Sequence, residues 1–235
     1  MKLEEFILQC EKVKNRHNVT MEHLHDKAFK SWIIDYANES PKEPCVAALK
    51  ELGLTAKDGF FVWSYTGSSS SWLNGDKRNC NEYSSDCKKY FADSLEKTLR
   101  KLPVYQGKAW RWEEADDKLQ KFNWFNERIG LSVRIPYFLS TSKDNITAKP
   151  MLWEIRTISN GYARDISQIS NNPYEQEILF IPNAKFKIIS VRDDNRTIVM
   201  RELPPDTDVE FDLCGAYDHD PNNIDPEMVE PGIFD

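Results

Sequence analysis

Pro173-Tyr174-Glu175-Gln176-Glu177-Ile178-Leu179-Phe180 sets two carboxylates two residues apart at the entry to an apolar run. If residues 178–181 form a strand, Glu175 and Glu177 point to one face, because side chains alternate across a strand. Two acids side by side repel each other, so this placement suits a ligand or a reaction. Upstream, Phe138-Leu139-Ser140-Thr141-Ser142 reads as a second strand that ends in hydroxyls. Further upstream lies Pro103-Val104-Tyr105-Gln106-Gly107.

Around these three pieces the chain divides into two compositional halves. Before Pro103 the apolar residues recur at three and four, the helical stripe. Helices are expected over 2–13 and 21–36, and after Pro41 through Val46, Leu49 and Leu52 to a stop at Gly53. A helix or turn-helix follows over 60–78, and another over 85–102 with Phe91, Leu95, Thr98 and Leu99 on one side. After Pro103, short β-type runs cover 104–105, 131–139, 151–159, 178–181, 186–191 and 197–203, punctuated by turn residues such as Pro182-Asn183. A helical insert carrying Trp110, Trp112, Leu119, Phe122 and Phe125 is expected between the first two. Helices first and strands later argue for an α+β fold and against a parallel βαβ sheet. One domain is expected over 1–235, with a helical lobe over 1–102, a β-sandwich catalytic core over 103–212 and an acidic, Pro/Asn-rich tail over 213–235.

Composition bounds the function. A chain of 235 residues, 40% hydrophobic and 12% aromatic, can bury a core and is not disordered. A net charge of −7 and a pI near 5.3 create no overall field attractive to nucleic acid. The five cysteines, Cys10, Cys45, Cys80, Cys87 and Cys214, match no Cys-x-x-Cys pattern and suit a reducing compartment. No signal-peptide core or long apolar run is seen, so neither Sec export nor a membrane span is expected. His23 and His25 lie two apart and face different ways on a helix, so they make no zinc pair. No Gly-x-x-x-x-Gly-Lys, Gly-x-Gly-x-x-Gly or Gly-x-Ser-x-Gly loop is present. Trp110, Arg111 and Trp112 are expected to pack and not to stack on bases.

The pieces, in this order, resemble the mono-ADP-ribosyltransferases of the arginine–serine–glutamate class. Ser64-Tyr65-Thr66-Gly67-Ser68, then Asn74 and Arg78, are similar to that family's Tyr-Thr-Gly and Asn-x-x-x-Arg elements, although Lys77 stands where the family has an apolar residue. The helix ending at Leu99-Arg100-Lys101, the Pro103–Gly107 stretch, Ser140–Ser142, residues 161–170 and the Glu-x-Glu follow in family order, so the resemblance covers about 43–203.

The resemblance implies an enzyme that transfers ADP-ribose from NAD+ to a side chain of a target protein and releases nicotinamide. NAD+ is then a substrate, and no metal is implied. Glu177 would be the catalytic carboxylate at the ribose, stabilising an oxocarbenium-like state as in glycoside hydrolysis. Ser140 would orient Glu177, and Glu175 would serve the acceptor, with Glu at that position favouring arginine. Tyr65, Asn74, Arg78, Gln106, Gly107, Thr141 and Ser142 would line the dinucleotide site, and Tyr174 would touch the acceptor protein. Hydroxyls at a strand end also cap turns, so a cap into Lys143-Asp144-Asn145 is the alternative for Ser140–Ser142. The implied partners are NAD+ and a target protein of a host cell, with no nucleic acid, no membrane insertion and a monomeric chain. The implied localisation is export without a signal peptide, to act in host cytosol as a bacterial effector.

The family has Arg where this chain has Gln106. A guanidinium brings five donors and a permanent charge, whereas a Gln side chain brings two donors, one acceptor and no charge. Three consequences stand open. Another cation takes the role, with Arg78 favoured and Lys108, Arg111, Arg128, Arg134 and Arg156 as further candidates. Alternatively, dinucleotide binding is weakened. Or the domain is a catalytically silent NAD- or protein-binding module. An NAD glycohydrolase, with water as acceptor, is a further alternative.

Overall fold

The computed structural model describes residues 43–79, 81–113, 120–145, 151–192 and 196–213. Helices come first: α1 (Glu43–Glu51), α2 (Ala56–Ser64), a π-helical turn (Tyr65–Ser69), α3 (Ser70–Arg78) and α4 (Asp86–Leu99). Strands follow: β1 (Lys108–Glu113), β2 (Ser132–Ile135), β3 (Leu139–Ser142), β4 (Met151–Arg156), β5 (Ala163–Asp165), β6 (Glu177–Phe180), β7 (Ala184–Arg192), β8 (Thr197–Glu202) and β9 (Phe211–Asp212). Helix α5 (Gln120–Asn126) lies between β1 and β2.

Local chemistry sets the helix ends. Gly53 closes α1 at a φ of 66°, the left-handed conformation that Gly adopts without a Cβ penalty. Thr55 and Asp58 form a reciprocal box at the start of α2: the Thr55 N–H donates to Asp58 Oδ2 (2.8 Å), and the Asp58 N–H to Thr55 Oγ1 (3.2 Å). Ser85 caps α4 by accepting the Lys88 N–H (3.2 Å). The expected stripe on α4 is buried at Phe91, Leu95, Thr98 and Leu99. It meets α2 through Phe61 and Phe91, whose rings lie edge to face at 5.1 Å.

The described strands form one ladder in the order β5-β6-β3-β1-β4-β8-β7-β2-β9. Pairing is antiparallel except for β4 with β8 and β2 with β9. Phe180 of β6 and Phe186 of β7, five places apart in that order, have ring centroids 5.2 Å apart. The sheet therefore folds back on itself and its two halves face each other, the sandwich expected of the α+β class. Phe125 of α5 packs against Trp153 of β4 at 5.3 Å.

Several details differ from expectation. The run 131–139 splits into β2 and β3, because Pro136 has no N–H for a ladder. Trp110 and Trp112 lie on β1, not in a helical insert, since pairing with β4 overrides helical spacing. Val104 makes only an isolated bridge to Arg164. With the Tyr105 N–H bonded to the Ala163 carbonyl (2.9 Å), the lead-in to β1 closes onto β5 at the sheet's far edge. The helices expected over 2–13 and 21–36, the four histidines, Cys80 with the Cys87 side chain, Leu119 and the tail after Cys214 lie outside the described residues.

Glu202, at the end of β8, braces the turn between β4 and β5. It accepts the N–H groups of Ile158 (3.0 Å) and Tyr162 (2.5 Å). Gly161 sits against this carboxylate with no room for a Cβ.

Candidate active site

Glu177 begins β6, and the turn before it decides what the carboxylate meets. Pro173–Glu175 form one 3-10 turn, and Gln176 then adopts the left-handed conformation (φ 47°, ψ 47°). That reversal leaves Glu175 exposed and drives Glu177 to 3% exposure. The two acids therefore do not share a strand face, because Glu175 is not in a strand. They still interact through space, since the Glu175 charge acts on Glu177.

Strand β6 pairs with β3 in the register Ser140↔Leu179 and Ser142↔Glu177, and the Ser140 hydroxyl donates to the Glu177 carboxylate. Burial is the main force on this acid and pushes its pKa up to about 7. The Ser140 hydrogen bond and the Arg111 charge pull it down, while Glu175 pushes it up. Glu177 is thus a carboxylate that changes charge near neutrality, a property that clusters at functional sites.

The other two hydroxyls of the trio do structural work. Thr141 Oγ1 donates to the Ile178 carbonyl (2.7 Å) and ties β3 to β6. Ser142 Oγ accepts the Asp144 N–H (3.0 Å), the turn cap weighed for this stretch. Only Ser140 of the three is turned to Glu177.

Behind β3 the helical lobe grips the backbone of Phe138. Tyr65 Oη donates to the Phe138 carbonyl (3.2 Å), Asn74 Nδ2 donates to the same carbonyl (3.0 Å), and the Phe138 N–H donates to Asn74 Oδ1 (3.2 Å). Tyr65 and Asn74 are each 1% exposed. Expected as dinucleotide ligands, they sit within the wall of the site and fix where β3 starts. Arg78, one turn beyond Asn74, lies over the Tyr137 ring at 5.3 Å.

Arg111 projects from the interior of β1. Its Nη1 donates to the Ser140 carbonyl (2.9 Å) and its Nε to Glu113 Oε1 (2.5 Å). The remaining candidate cations are engaged elsewhere. Lys108 pairs with Glu154 (2.9 Å), Arg134 with Asp212 (2.5 Å), and Arg128 covers the Trp124 ring (4.3 Å). Arg156 is exposed and lies 3.8 Å from Glu154.

Gln106 is exposed just before β1. Gly107 beside it has both backbone groups engaged: its N–H donates to Thr157 Oγ1 (2.8 Å) and its carbonyl accepts the Thr157 N–H (3.0 Å). These two bonds tie the start of β1 to the end of β4. A Cβ there would meet the Tyr105 hydroxyl at 2.6 Å, so a larger residue would require the Tyr105 ring to move.

The loop before Glu177 carries Tyr174 at 90% exposure, an aromatic facing solvent. Asn172 Nδ2 donates to Glu175 Oε1 (2.8 Å). The Asn171 N–H donates to Thr66 Oγ1 (2.8 Å), so this loop is docked on the π-helical turn. Thr66 belongs to the Tyr-Thr-Gly element read from the sequence, whereas Tyr137 was not among the expected site residues. Tyr137 has no local signal, because it acts through Arg78, far along the chain. Among the described residues, no three His, Cys, Asp or Glu side chains are placed to hold a metal ion. No described helix is long and apolar enough to cross a membrane.

Known proteins resemble this chain in sequence and in fold. Mav from Mycobacterium avium (strain 104), a protein named for NAD(+)–arginine ADP-ribosyltransferase activity, is 35% identical over 109 residues, 45% of this chain; the match spans 13% of that relative's length. Among solved structures, the toxin Plx2a from Paenibacillus larvae superposes with a TM-score of 0.57 at 19% identity, covering 79% of this chain and 99% of that one. HopU1 of Pseudomonas syringae pv. Tomato DC3000 gives 0.59 at 18% identity, covering 72% and 86%. Vis, a toxin from Vibrio splendidus, in its complex with agmatine gives 0.55 at 20% identity, covering 85% and 94%. These structures share the fold. The sequence profile of the ADP-ribosyltransferase exoenzymes matches residues 46–203, and the chain belongs to that family.

Proposed function

We propose that this chain cleaves NAD+ at the nicotinamide–ribose bond and transfers the ADP-ribose to a side chain of a target protein. The observation that carries the proposal is the buried Glu177, hydrogen-bonded by Ser140 on the neighbouring strand. In this scheme the bond between ribose C1′ and the nicotinamide nitrogen breaks. Neutral nicotinamide leaves with the bonding pair, and positive charge develops on the ribose. The Glu177 carboxylate stabilises that charge, and an acceptor nucleophile then attacks C1′ and loses a proton. Thr141 and the Tyr65–Asn74–Phe138 bonds hold the strands that carry Ser140 and Glu177 in place. One catalytic domain would combine the helical lobe over 1–102 with the β core over 103–212.

The acceptor is proposed to be arginine in a host protein, reached as a secreted effector. Exposed Glu175 and Tyr174 support an acceptor that docks on the Pro173–Glu175 turn. Relatives named as toxins, and Vis holding the guanidinium compound agmatine, point the same way. Nicotinamide release from NAD+, followed with and without a eukaryotic lysate and with label transfer to protein, tests the proposal. Gln106 favours one competing account, a silent binding module. Saturable NAD+ binding without nicotinamide release is the result that would establish it.

Glu175→Gln separates the two halves of the reaction. Protein modification should fall at least tenfold while NAD+ hydrolysis stays within about threefold of wild type, because Glu175 serves the acceptor and Glu177 the ribose. The ratio of the two rates in wild type and variant is the measurement. Equal losses in both would assign Glu175 to cleavage itself.

A further inference from the structure

Four cations stand side by side across the sheet. Lys108 of β1 is registered against Arg156 of β4, Arg156 against Arg201 of β8, and Arg201 against Lys187 of β7. These four strands are consecutive in the ladder. We propose that this row is an interaction surface and that its occupant is the chain's own acidic segment, residues 214–235.

The row lies on the outer face of the sheet. Side chains alternate along a strand, and the residues one place away, Ala109, Ile155, Met200 and Ile188, are fully buried. Lys108, Arg156 and Arg201 are exposed, and Lys187 is half-buried. Directly paired residues bring their side chains to about 5 Å, where like charges destabilise the pairing. A face that only meets water would mix the two signs. That holds all the more in a chain with 38 Asp and Glu against 31 Lys and Arg.

The described carboxylates offset only part of this charge. Glu154, two residues before Arg156 on the same face, meets Lys108 at 2.9 Å, Arg192 at 3.1 Å and Arg156 at 3.8 Å, so one acid serves three cations. At the far end Glu210 accepts the Ser132 N–H (2.7 Å) next to Lys187, whose charge acts on it. Among the described residues, Arg201 in the middle of the row has no ion-pair partner. The row stays positive on a chain whose net charge is −7.

Charge and reach identify the occupant. Residues 214–235 carry Asp218, Asp220, Asp225, Glu227, Glu230 and Asp235 and no Lys or Arg. Asp218 with Asp220, and Asp225 with Glu227, are two apart, a spacing that sets both carboxylates on one side of an extended backbone. The segment follows Leu213, whose N–H donates to the Arg134 carbonyl of β2 (2.7 Å). Strand spacing puts Lys187 about 10 Å across the sheet from β9. The chain from Leu213 to Asp218 spans up to roughly 17 Å, enough to reach it. Pro221, Pro226 and Pro231 have no N–H to give a ladder, so side-chain charge holds the segment.

The test is zero-length carbodiimide crosslinking of the full chain at low salt, read by peptide mass spectrometry. The reagent joins a lysine to a carboxylate it pairs with, and a Lys187–Glu210 link is the internal control. Lys187 or Lys108 should be joined to acids of 218–235 within one molecule. The yield should fall about fivefold or more in about 1 M salt, where the screening length is about 3 Å. The double variant Arg156→Gln, Arg201→Gln should lose these links and keep Lys187–Glu210. A low-salt sample that shows the control but no link from either lysine to 218–235 overturns the proposal. So does a segment linked equally to lysines elsewhere. Links that form only between molecules overturn it too and assign the row to a second copy. Melting gives a measurement that leaves the row intact. With Asp218→Asn, Asp220→Asn, Asp225→Asn and Glu227→Gln combined, the midpoint should drop by about 2–4 °C at low salt and match wild type in high salt. An unchanged low-salt midpoint also counts as refutation.

Discussion

Replacing Glu177 with Gln should abolish nicotinamide release and protein modification together, by about a hundredfold or more. The swap keeps the side chain's shape and its capacity to accept from Ser140 while removing the charge that meets the ribose cation. Both activities need that charge, because cleavage precedes any acceptor. A second arm uses pH. In the wild type the ionised form is the active one, and burial sets its pKa near 7. The rate should therefore climb through neutrality and level off above it, and the residual rate of Glu177→Gln should lack that limb. Circular dichroism reports whether the variant is folded. A folded variant with normal turnover would remove Glu177 from the chemistry.

Arg78→Ala should raise the Michaelis constant for NAD+ by about one to two orders of magnitude while changing kcat much less. That corresponds to about 1.5–3 kcal/mol for a charge-assisted hydrogen bond to phosphate. Arg78 ends α3, where its guanidinium is held over Tyr137 and only half-buried. It reaches a bound anion without breaking a buried ion pair. Gln106→Arg distinguishes a compensated site from a defective one. With Arg78 on the phosphates and Arg111 at the carboxylate, the restored arginine should add little affinity. A large gain in NAD+ affinity from Gln106→Arg would instead show that the site lacks a cation. Unchanged affinity in Arg78→Ala would place the phosphates elsewhere.

The parts of this molecule that sequence made legible are those governed by local periodicity and by ordered motifs. The α4 stripe of Phe91, Leu95 and Leu99, the stop at Gly53 and the strand character of Leu139–Ser142 all follow from spacing and propensity. The candidate pairing of Ser140 with Glu177 followed from the order of the motifs. Position within the site was less legible. Gln106 drew attention because it breaks a pattern, but a pattern cannot show that Arg111, five residues on, meets Ser140 through an antiparallel neighbour. The split roles of Ser140, Thr141 and Ser142 depend on which strand each hydroxyl faces. The reversal at Gln176 carries no Gly or Asn to announce a left-handed residue, so Glu175 and Glu177 read as one face when the turn separates them. The bonds by which Tyr65 and Asn74 anchor Phe138 join segments far apart in sequence and have no local signal.

The burial of Glu177 also bears on how firmly the chain stays folded. In the unfolded chain this carboxyl has an ordinary pKa of 4.5, against about 7 in the folded one. Between those values the folded state holds more protons, so stability declines as pH rises through that window. Once both states are ionised, the deficit is on the order of 3 kcal/mol. Gln at this position carries no charge at any pH and escapes the penalty. The inactive Glu177→Gln protein should therefore melt at a higher temperature than its parent at pH 8, and the difference should shrink towards nothing near pH 4. Identical melting curves at pH 8 would show that the carboxylate is better solvated than its burial suggests. Thermal tolerance and chemistry pull against each other at this one side chain.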